Sequence, residues 1–252
     1  MTPKSRLAPF VAAVLLVLSA CASAAEFAVI PLRVYLDRNA KAAEILVRNE
    51  GRSPLRMQLE AMSWEQDAEG VDRYEAAEGL IFFPRAMEIG AGESRTVRVG
   101  VRSAPVTREE TFRLFIEELP SPADGDKPPP GASVQVLLRI GVPVFVAPVQ
   151  PERKGDIAGL ELRERKASFV VSNGGNVHLR ADAVELAGTA RDGRKLFVQS
   201  FSDRYWLAGA SRRLVFEIPA EICGQLATLE ATLAGDGVDL RRKIDVDPRS
   251  CR

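Results

Sequence analysis

The 252-residue chain carries 34 basic and 34 acidic side chains, so its formal net charge is zero. A chain without excess positive charge offers no electrostatic footprint for nucleic acid. Its length allows two domains of ordinary size in addition to a targeting segment.

Residues 1–25 have the features of a secretory signal peptide. Lys4 and Arg6 form a positive region, an apolar run follows, and the small residues Ala22-Ser23-Ala24 form a cleavage site. The apolar run is too short for a membrane span, so we predict that the chain is exported. One alternative stays open, because the segment LSAC, which ends at Cys21, also resembles the lipobox of bacterial lipoproteins.

The segment 26–148 consists of short alternating stretches separated by Gly, Pro and Asn turns. Apolar residues occupy every second position in AEILVRNEG, PLRMQLEAMSW, SRTVRVGV and TFRLFIEELP. This period of two predicts strands with one buried face, and their series indicates an antiparallel β-sandwich. The acidic stretch DAEGVDR lacks the spacing of a calcium loop, so we interpret it as a solvated hairpin tip.

The last strand of this segment, SVQVLLRIGVPVFVAP, is apolar at every even-numbered position from 134 to 142. These positions are Val134, Val136, Leu138, Ile140 and Val142. Pro143 lacks a backbone N–H donor, which favours an edge position or a bulge. An apolar edge strand invites pairing with another chain. From the pattern alone, these side chains could instead face the core of their own domain.

A second run of strands follows the segment VAPVQPERKGD, which has the prolines and charges of a linker. The two halves of the chain echo each other. In both, a strand ends at an asparagine (Asn49 and Asn173), a glycine turn follows and a second strand begins. The echo predicts two tandem sandwiches rather than one large barrel.

Two cysteines, Cys223 and Cys251, remain if the signal peptide is cleaved after Cys21. An exported pair predicts a disulfide, which would stabilise the fold by about 3–4 kcal/mol in the chain-entropy model. Two unpaired thiols are the alternative.

No pattern of a catalytic or metal site occurs in the chain. The HExxH, GxSxG, P-loop and CxxC motifs are absent. The single histidine, His178, lies in an alternating run and is interpreted as structural or solvated, and Trp64 and Trp206 as core aromatics. We therefore predict no enzymatic activity, no metal, no cofactor and no small-molecule substrate.

The strands and their order resemble the PapD-like periplasmic chaperones of the chaperone–usher pathway. The succession is PLRVYLD, NEGRSPLRMQL, FFPRAMEIGAGESRTVRV, FRLFIEELP and VQVLLRIGVPVFVAP, and SNGGNVHLR matches the opening hairpin of the family's second domain. The resemblance covers essentially the whole chain after the signal peptide. The forms RIGVPVFVAP and FRLFIEELP are closer to the alternative or archaic branch of the family.

This resemblance implies an all-β fold of two tandem immunoglobulin-like domains in an L shape, 26–148 and 149–252. It also implies a periplasmic chaperone that binds pilus or fimbrial subunits and delivers them to an outer-membrane usher. The subunit lacks one strand, and the chaperone supplies its own last first-domain strand, which is donor-strand complementation. Val134, Val136 and Leu138 fall where the family places its groove-filling side chains, and Ile140 extends the row.

The family also anchors the C-terminal carboxylate of the client with an arginine and a lysine. Arg33 in PLRVY matches the arginine, although an ordinary exposed strand arginine is the alternative. Pro143 occupies the position of the lysine, so this anchor departs from the family pattern. Arg139 lies four residues earlier with the same strand parity and is a candidate for the second charge.

A function from another class stays open. An exported two-domain immunoglobulin-like adhesion or scaffold protein, anchored by a lipid at Cys21, would share the same strand pattern. Mass spectrometry of the mature N-terminus would distinguish the lipidated form from the freely soluble one.

Overall fold

The computed structural model describes residues 27–67, 69–102, 104–105, 107–120, 136–235 and 237–251. This part of the chain forms 17 β-strands, one four-residue α-helix and one short 3-10 helix. Within the same ranges, no helix is long and apolar enough to span a bilayer.

The first ten strands build one sandwich of two sheets. One sheet has the order β1-β3-β8-β6, and the other has the order β2-β10-β9-β4-β5 with β7 paired to β4. The strands are β1 (Phe27–Ile30), β2 (Val34–Leu36), β3 (Ala42–Asn49), β4 (Leu55–Gln66), β5 (Asp72–Ala76), β6 (Leu80–Phe83), β7 (Ala86–Ile89), β8 (Ser94–Val101), β9 (Glu110–Leu119) and β10 (Arg139–Val146).

The core of this sandwich follows the alternation of the sequence. Ile45 and Val47 of β3 belong to the same core as Leu114 and Ile116 of β9, and all four side chains are fully buried. The residues between them on β3 point to solvent. Burial of one face therefore selects the strand conformation, as the period of two predicts.

The last seven strands build a second sandwich. Its sheets have the orders β11-β12-β15 and β14-β13-β16-β17. The strands are β11 (Gly155–Arg163), β12 (Lys166–Asn173), β13 (Leu179–Ala190), β14 (Lys195–Trp206), β15 (Ser211–Glu217), β16 (Leu226–Gly235) and β17 (Val238–Asp245). Trp206 and Phe169 are among the large side chains of its separate core.

A disulfide closes the end of the second sandwich. Cys223 ends the helix α1 (Ala220–Cys223), and Cys251 ends the 3-10 helix Pro248–Cys251. The bridge joins them with a Cα–Cα distance of 5.8 Å. The predicted pairing of the two cysteines is confirmed.

The echo between the halves is a buried asparagine in each sandwich. The Nδ2 group of Asn49 donates to the carbonyls of Ser53, Ile89 and Gly90, while its Oδ1 accepts the N–H of Gly51. In the second sandwich, the Nδ2 group of Asn173 donates to three carbonyls, and its Oδ1 accepts one N–H. The partners of Asn173 are Val177, Trp206, Leu207 and Gly175.

The predicted fold class, two tandem immunoglobulin-like β-sandwiches, is confirmed by the sheet orders and the two cores. The first sandwich ends with β10 at Val146, and the second begins with β11 at Gly155. Trp206 lies in the second core as predicted, whereas Trp64 lies in a third cluster formed by both sandwiches.

Candidate functional site

The strand β10 has one edge that is only partly paired. Along its whole length it pairs with β9, from Arg139 opposite Glu117 to Val146 opposite Glu110. The parallel partner β2 covers only the end of β10 and begins at Val144. In the described part of the chain, the outer edge of residues 139–143 therefore faces no strand, and Pro143 lies at this edge as predicted.

The apolar face of β10 passes gradually from core to solvent. Val142 is fully buried, Ile140 and Leu138 pack against the first core while partly exposed, and Val136 is 72% exposed. Regular strand structure begins only at Arg139, although the N–H of Glu118 still donates to the carbonyl of Leu138. Val134, the first predicted donor residue, lies outside the described residues.

The two arginines proposed for the carboxylate anchor occupy different environments. Arg33 is half-buried just before β2, and its Nε donates to the hydroxyl of Tyr205 in the second sandwich, with an N–O distance of 2.8 Å. Arg139 is exposed, contacts Glu60 at 3.1 Å and Glu117 at 3.4 Å, and covers a phenylalanine ring. Arg33 is level with Pro143 in the pairing of β2 with β10. Arg139 lies four residues before Pro143 on β10, which is roughly 13 Å along the strand.

The two sandwiches meet through an aromatic cluster. Trp64 and Phe145 of the first sandwich pack with Leu207 and Ala210 of the second. The ring of Tyr205 lies 5.5 Å from Trp64 and 5.6 Å from Phe145, measured between centroids. Dispersion and burial of these side chains stabilise the contact between the two sandwiches.

A buried polar pair adjoins the aromatic cluster. Glu109 accepts both the backbone N–H of His178, at 2.7 Å, and a hydrogen bond with its Nδ1, at 2.9 Å. Both side chains are 3% exposed, and the imidazole stacks on Phe145 at 3.7 Å. The structural interpretation of His178 is confirmed, but its partner Glu109 could not be found from the sequence, because the two residues are far apart along the chain.

A charged cavity opens beside this junction. It has a volume of about 600 Å³, and its walls include Arg113 of β9, Arg204 of β14 and Arg212 of β15. The sequence contained one signal for Arg113, which alternates with the core residues Phe112 and Leu114 and therefore faces outward. Nothing in the sequence associates it with the other two arginines.

The cavity borders the hairpin tip between β4 and β5. Asp67 accepts the backbone N–H groups of Val71 and Glu69 and contacts Arg73. The bond from Val71, followed by those from Arg73 and Glu69, holds the pKa of the Asp67 carboxyl below its usual value. The hairpin tip predicted for the stretch DAEGVDR is confirmed by the pairing of β4 with β5, although Gly70 within it is buried.

The comparisons with known proteins agree with this architecture. Residues 26–152, half of the chain, match the family model described as "Pili and flagellar-assembly chaperone, PapD N-terminal domain". No individual curated protein sequence matches the chain.

Several solved structures share the fold of both sandwiches. A chain of the CsuC–CsuE pre-assembly complex of chaperone and tip adhesion subunit, from the archaic Csu pili of Acinetobacter baumannii, is 17% identical with a TM-score of 0.58 and covers 87% of this chain and 98% of its own. The CupB2 chaperone of Pseudomonas aeruginosa is 18% identical with a TM-score of 0.51, covering 86% and 98%. A chain of the SafA pilin–SafB chaperone complex of Salmonella enterica is 12% identical with a TM-score of 0.54, covering 86% and 96%. Identities this low establish the fold alone.

Proposed function

The chain belongs to the family of pili and flagellar-assembly chaperones, and on that premise we propose that it binds pilus subunits by donor-strand complementation in the periplasm. We propose further that it delivers them to an outer-membrane usher. The family consists of non-enzymatic chaperones, so this protein acts in pilus assembly by binding and not by catalysis. The segments 26–148 and 149–252 are proposed as its two functional domains.

The observation that carries the proposal is the partly paired edge of β10. Successive residues of a strand direct their backbone groups to opposite edges, so alternate residues of 139–143 present these groups away from β9, where no strand lies among the described residues, and Pro143 has no N–H to offer. A client strand placed there would satisfy them, and main-chain hydrogen bonds supply affinity largely independent of sequence. Alternate side chains then supply the specificity.

The side chains before β10 would fill the client's groove in graded amounts. Burying one exposed valine or leucine fully is worth about 1.5–3 kcal/mol. Val136 is mostly exposed, so it would contribute most of that amount on binding. Leu138 and Ile140 are already partly buried in the chaperone's own core, so each would contribute less. Val134 is proposed to continue the row.

The substitution Val136→Asp tests this proposal. The carboxylate would enter an apolar groove unpaired, which costs several kcal/mol, so recovery of the complex between chaperone and client should fall at least about a hundredfold. The measurement is co-purification of a pilus subunit from periplasm together with the melting temperature of the free chaperone. The melting temperature should stay unchanged, because the Val136 side chain is mostly exposed in the free chaperone and contributes little to its stability.

Leu137→Asp is the matched control, since strand alternation directs this neighbouring side chain to the opposite face. It should leave complex formation nearly intact. If Val136→Asp and Leu137→Asp bind the subunit equally well, the segment before β10 is not the donor strand.

A carboxylate anchor at Arg33 completes the proposal. A guanidinium can bind both oxygens of a client's C-terminal carboxylate through two parallel hydrogen bonds. Arg33 lies where the first sandwich meets the second, beside Tyr205. Arg139 is the proposed second charge, although it now contacts two glutamates.

A further inference from the structure

The strand β14 forms an uncovered edge of the second sandwich. It is twelve residues long and pairs with β13 along one side. Among the residues that the structure describes, no strand pairs with its other side. An edge of this kind presents a row of backbone N–H and C=O groups that another chain can bond.

The orientation of the neighbouring strand shows which residues of β14 present these groups. In β13, the carbonyl of Arg180 and the N–H of Asp182 point toward Gly235 of β16. Successive residues of a strand point to opposite edges, so the odd-numbered residues of β13 bond β14. Even-numbered residues of β14 are opposite them and complete these bonds. The odd-numbered residues of β14 therefore direct their backbone groups to the free edge.

The first sandwich caps one end of this edge. The Nε2 group of Gln66 donates to the carbonyl of Tyr205, and its Oε1 accepts the N–H of Leu207, both at 3.0 Å. These are the two groups that an adjacent strand would bond at that point. In the described part of the chain, nothing bonds in the same way the outward groups further along the strand, at Phe197, Gln199 and Phe201.

The uncapped part of β14 lacks the features that keep an edge unpaired. Residues 196–202 read LFVQSFS, without a charge, a proline or a glycine. Other edge strands of the molecule are charged. Three of the five residues of β5 are ionic, and β17 carries Arg241, Arg242 and Lys243 in succession. Charges and prolines protect natural edges from pairing, so the edge of β14 is open to a partner strand.

This segment is complementary to itself in an antiparallel arrangement. About a two-fold axis at Gln199, that residue is opposite its own copy, and Phe197 is opposite Phe201. Each of these opposed pairs can exchange two backbone hydrogen bonds, because all three residues present outward groups. Both phenylalanines are only partly buried in their own core, so they would cover each other. The amide of Gln199 can both donate to and accept from its copy.

We propose that the edge of β14 at residues 196–202 is the interaction surface for a second copy of this chain. The two copies form an isologous dimer in which the four-stranded sheets of both second sandwiches become one continuous sheet. The inference is independent of the proposed client binding, because β10 belongs to the first sandwich. Each dimer therefore keeps two uncovered β10 edges.

Sedimentation equilibrium of the mature chain tests the dimer directly. The molar mass of the wild type should rise with concentration toward twice the monomer mass. Gln199→Lys places two like charges opposite each other on the axis, so the dissociation constant should rise at least about tenfold. Ser200→Lys is the matched control, since its side chain lies on the other face and is opposite Val198 rather than its own copy. A constant monomer mass up to the solubility limit, or equal dissociation constants of the two variants, would overturn the inference.

A cysteine at the axis tests the register. The Cα atoms of a hydrogen-bonded antiparallel pair lie about 5.5 Å apart, which is within disulfide reach. Gln199→Cys should therefore form a covalent dimer on mild oxidation, visible on a non-reducing gel. Ser200→Cys, one residue further along, should form much less of it. Equal yields from the two cysteine variants would contradict pairing about Gln199.

Val136→Asp distinguishes this dimer from one that pairs through the edge of β10. This variant should dimerise like the wild type, because residue 136 precedes β10 in the first sandwich. A dimer that is lost in Val136→Asp and kept in Gln199→Lys would place the interface at the donor strand and overturn the inference. Unchanged dimerisation of Val136→Asp together with loss of its client binding is the result expected if both proposals hold.

Discussion

Arg33 of the first domain contacts the second domain through a side-chain hydrogen bond. It follows β1 and precedes β2, and its Nε bonds the Tyr205 hydroxyl 172 positions further along the chain. The bond orients the guanidinium plane where the two sandwiches meet. A planar, oriented donor is suited to a carboxylate, because less side-chain freedom is lost on binding.

Arg33→Ala should weaken binding of the pilus subunit about tenfold or more, since a charge-assisted contact is worth about 1.5–3 kcal/mol. The free energy of unfolding of the free chaperone in urea should change by about 1 kcal/mol, because one partly exposed hydrogen bond is lost. The affinity of Arg139→Ala for the subunit, measured in parallel, should show whether Arg139 also binds the client's carboxylate. Unchanged affinity in Arg33→Ala would place the anchor elsewhere.

At the scale of strands and turns, the two buried asparagines fasten each strand end to its neighbouring loop. Asn49 and Asn173 are 0% and 1% exposed, so every polar atom of their amides needs a partner inside the protein. A turn that starts at asparagine and continues with glycine lets the amide reach three carbonyls at once. The asparagine–glycine turn that occurs in both halves of the sequence therefore reflects the same set of amide hydrogen bonds in both sandwiches.

Asn173→Ala should destabilise the protein by about 3 kcal/mol or more, since three buried carbonyls lose their donor. Asn173→Asp should be at least as damaging, because a carboxylate offers no N–H to these oxygens. Urea unfolding would measure both effects. Asn39→Ala, at an exposed position, is the control, and equal stability of Asn39→Ala and Asn173→Ala would contradict the fastening role.

The whole molecule depends on the contact between its sandwiches. The pair Glu109–His178 and the rings of Trp64, Phe145 and Tyr205 bury polar and aromatic groups from both domains together. Unfolding one domain would expose this shared surface on the other. We therefore expect the two domains to unfold together, although each has a core of its own.

Glu109→Ala should break this coupling. Removing the acceptor of a buried hydrogen bond costs about 1–3 kcal/mol for each donor left unpaired, and His178 loses the acceptor of its backbone N–H and of its Nδ1. Calorimetry should show one transition for the wild type and two separated transitions for the variant. Glu110→Ala removes an exposed neighbouring carboxylate and should behave like the wild type. A single, unshifted transition in Glu109→Ala would refute the coupling.

The features that depend on local periodicity follow from the amino-acid sequence alone. Alternation in segments such as ILVRN and FRLFIEEL predicts strands, because the face to which a strand residue points depends only on whether its position is odd or even. The repeated asparagine turn predicts two sandwiches, and an exported cysteine pair predicts the bridge between Cys223 and Cys251. These predictions use only the order of neighbouring residues and the presence of two cysteines to pair.

Which surfaces contact each other depends on how the two sandwiches pack. Parity placed Val136, Leu138 and Ile140 on one face, but the extent of the first core determines that Val136 is exposed while the other two are partly covered. Arg113, Arg204 and Arg212 share a cavity because the two sandwiches bring β9 beside β14 and β15. Contacts between residues so distant in sequence arise from the packing of whole sheets, which no local pattern encodes.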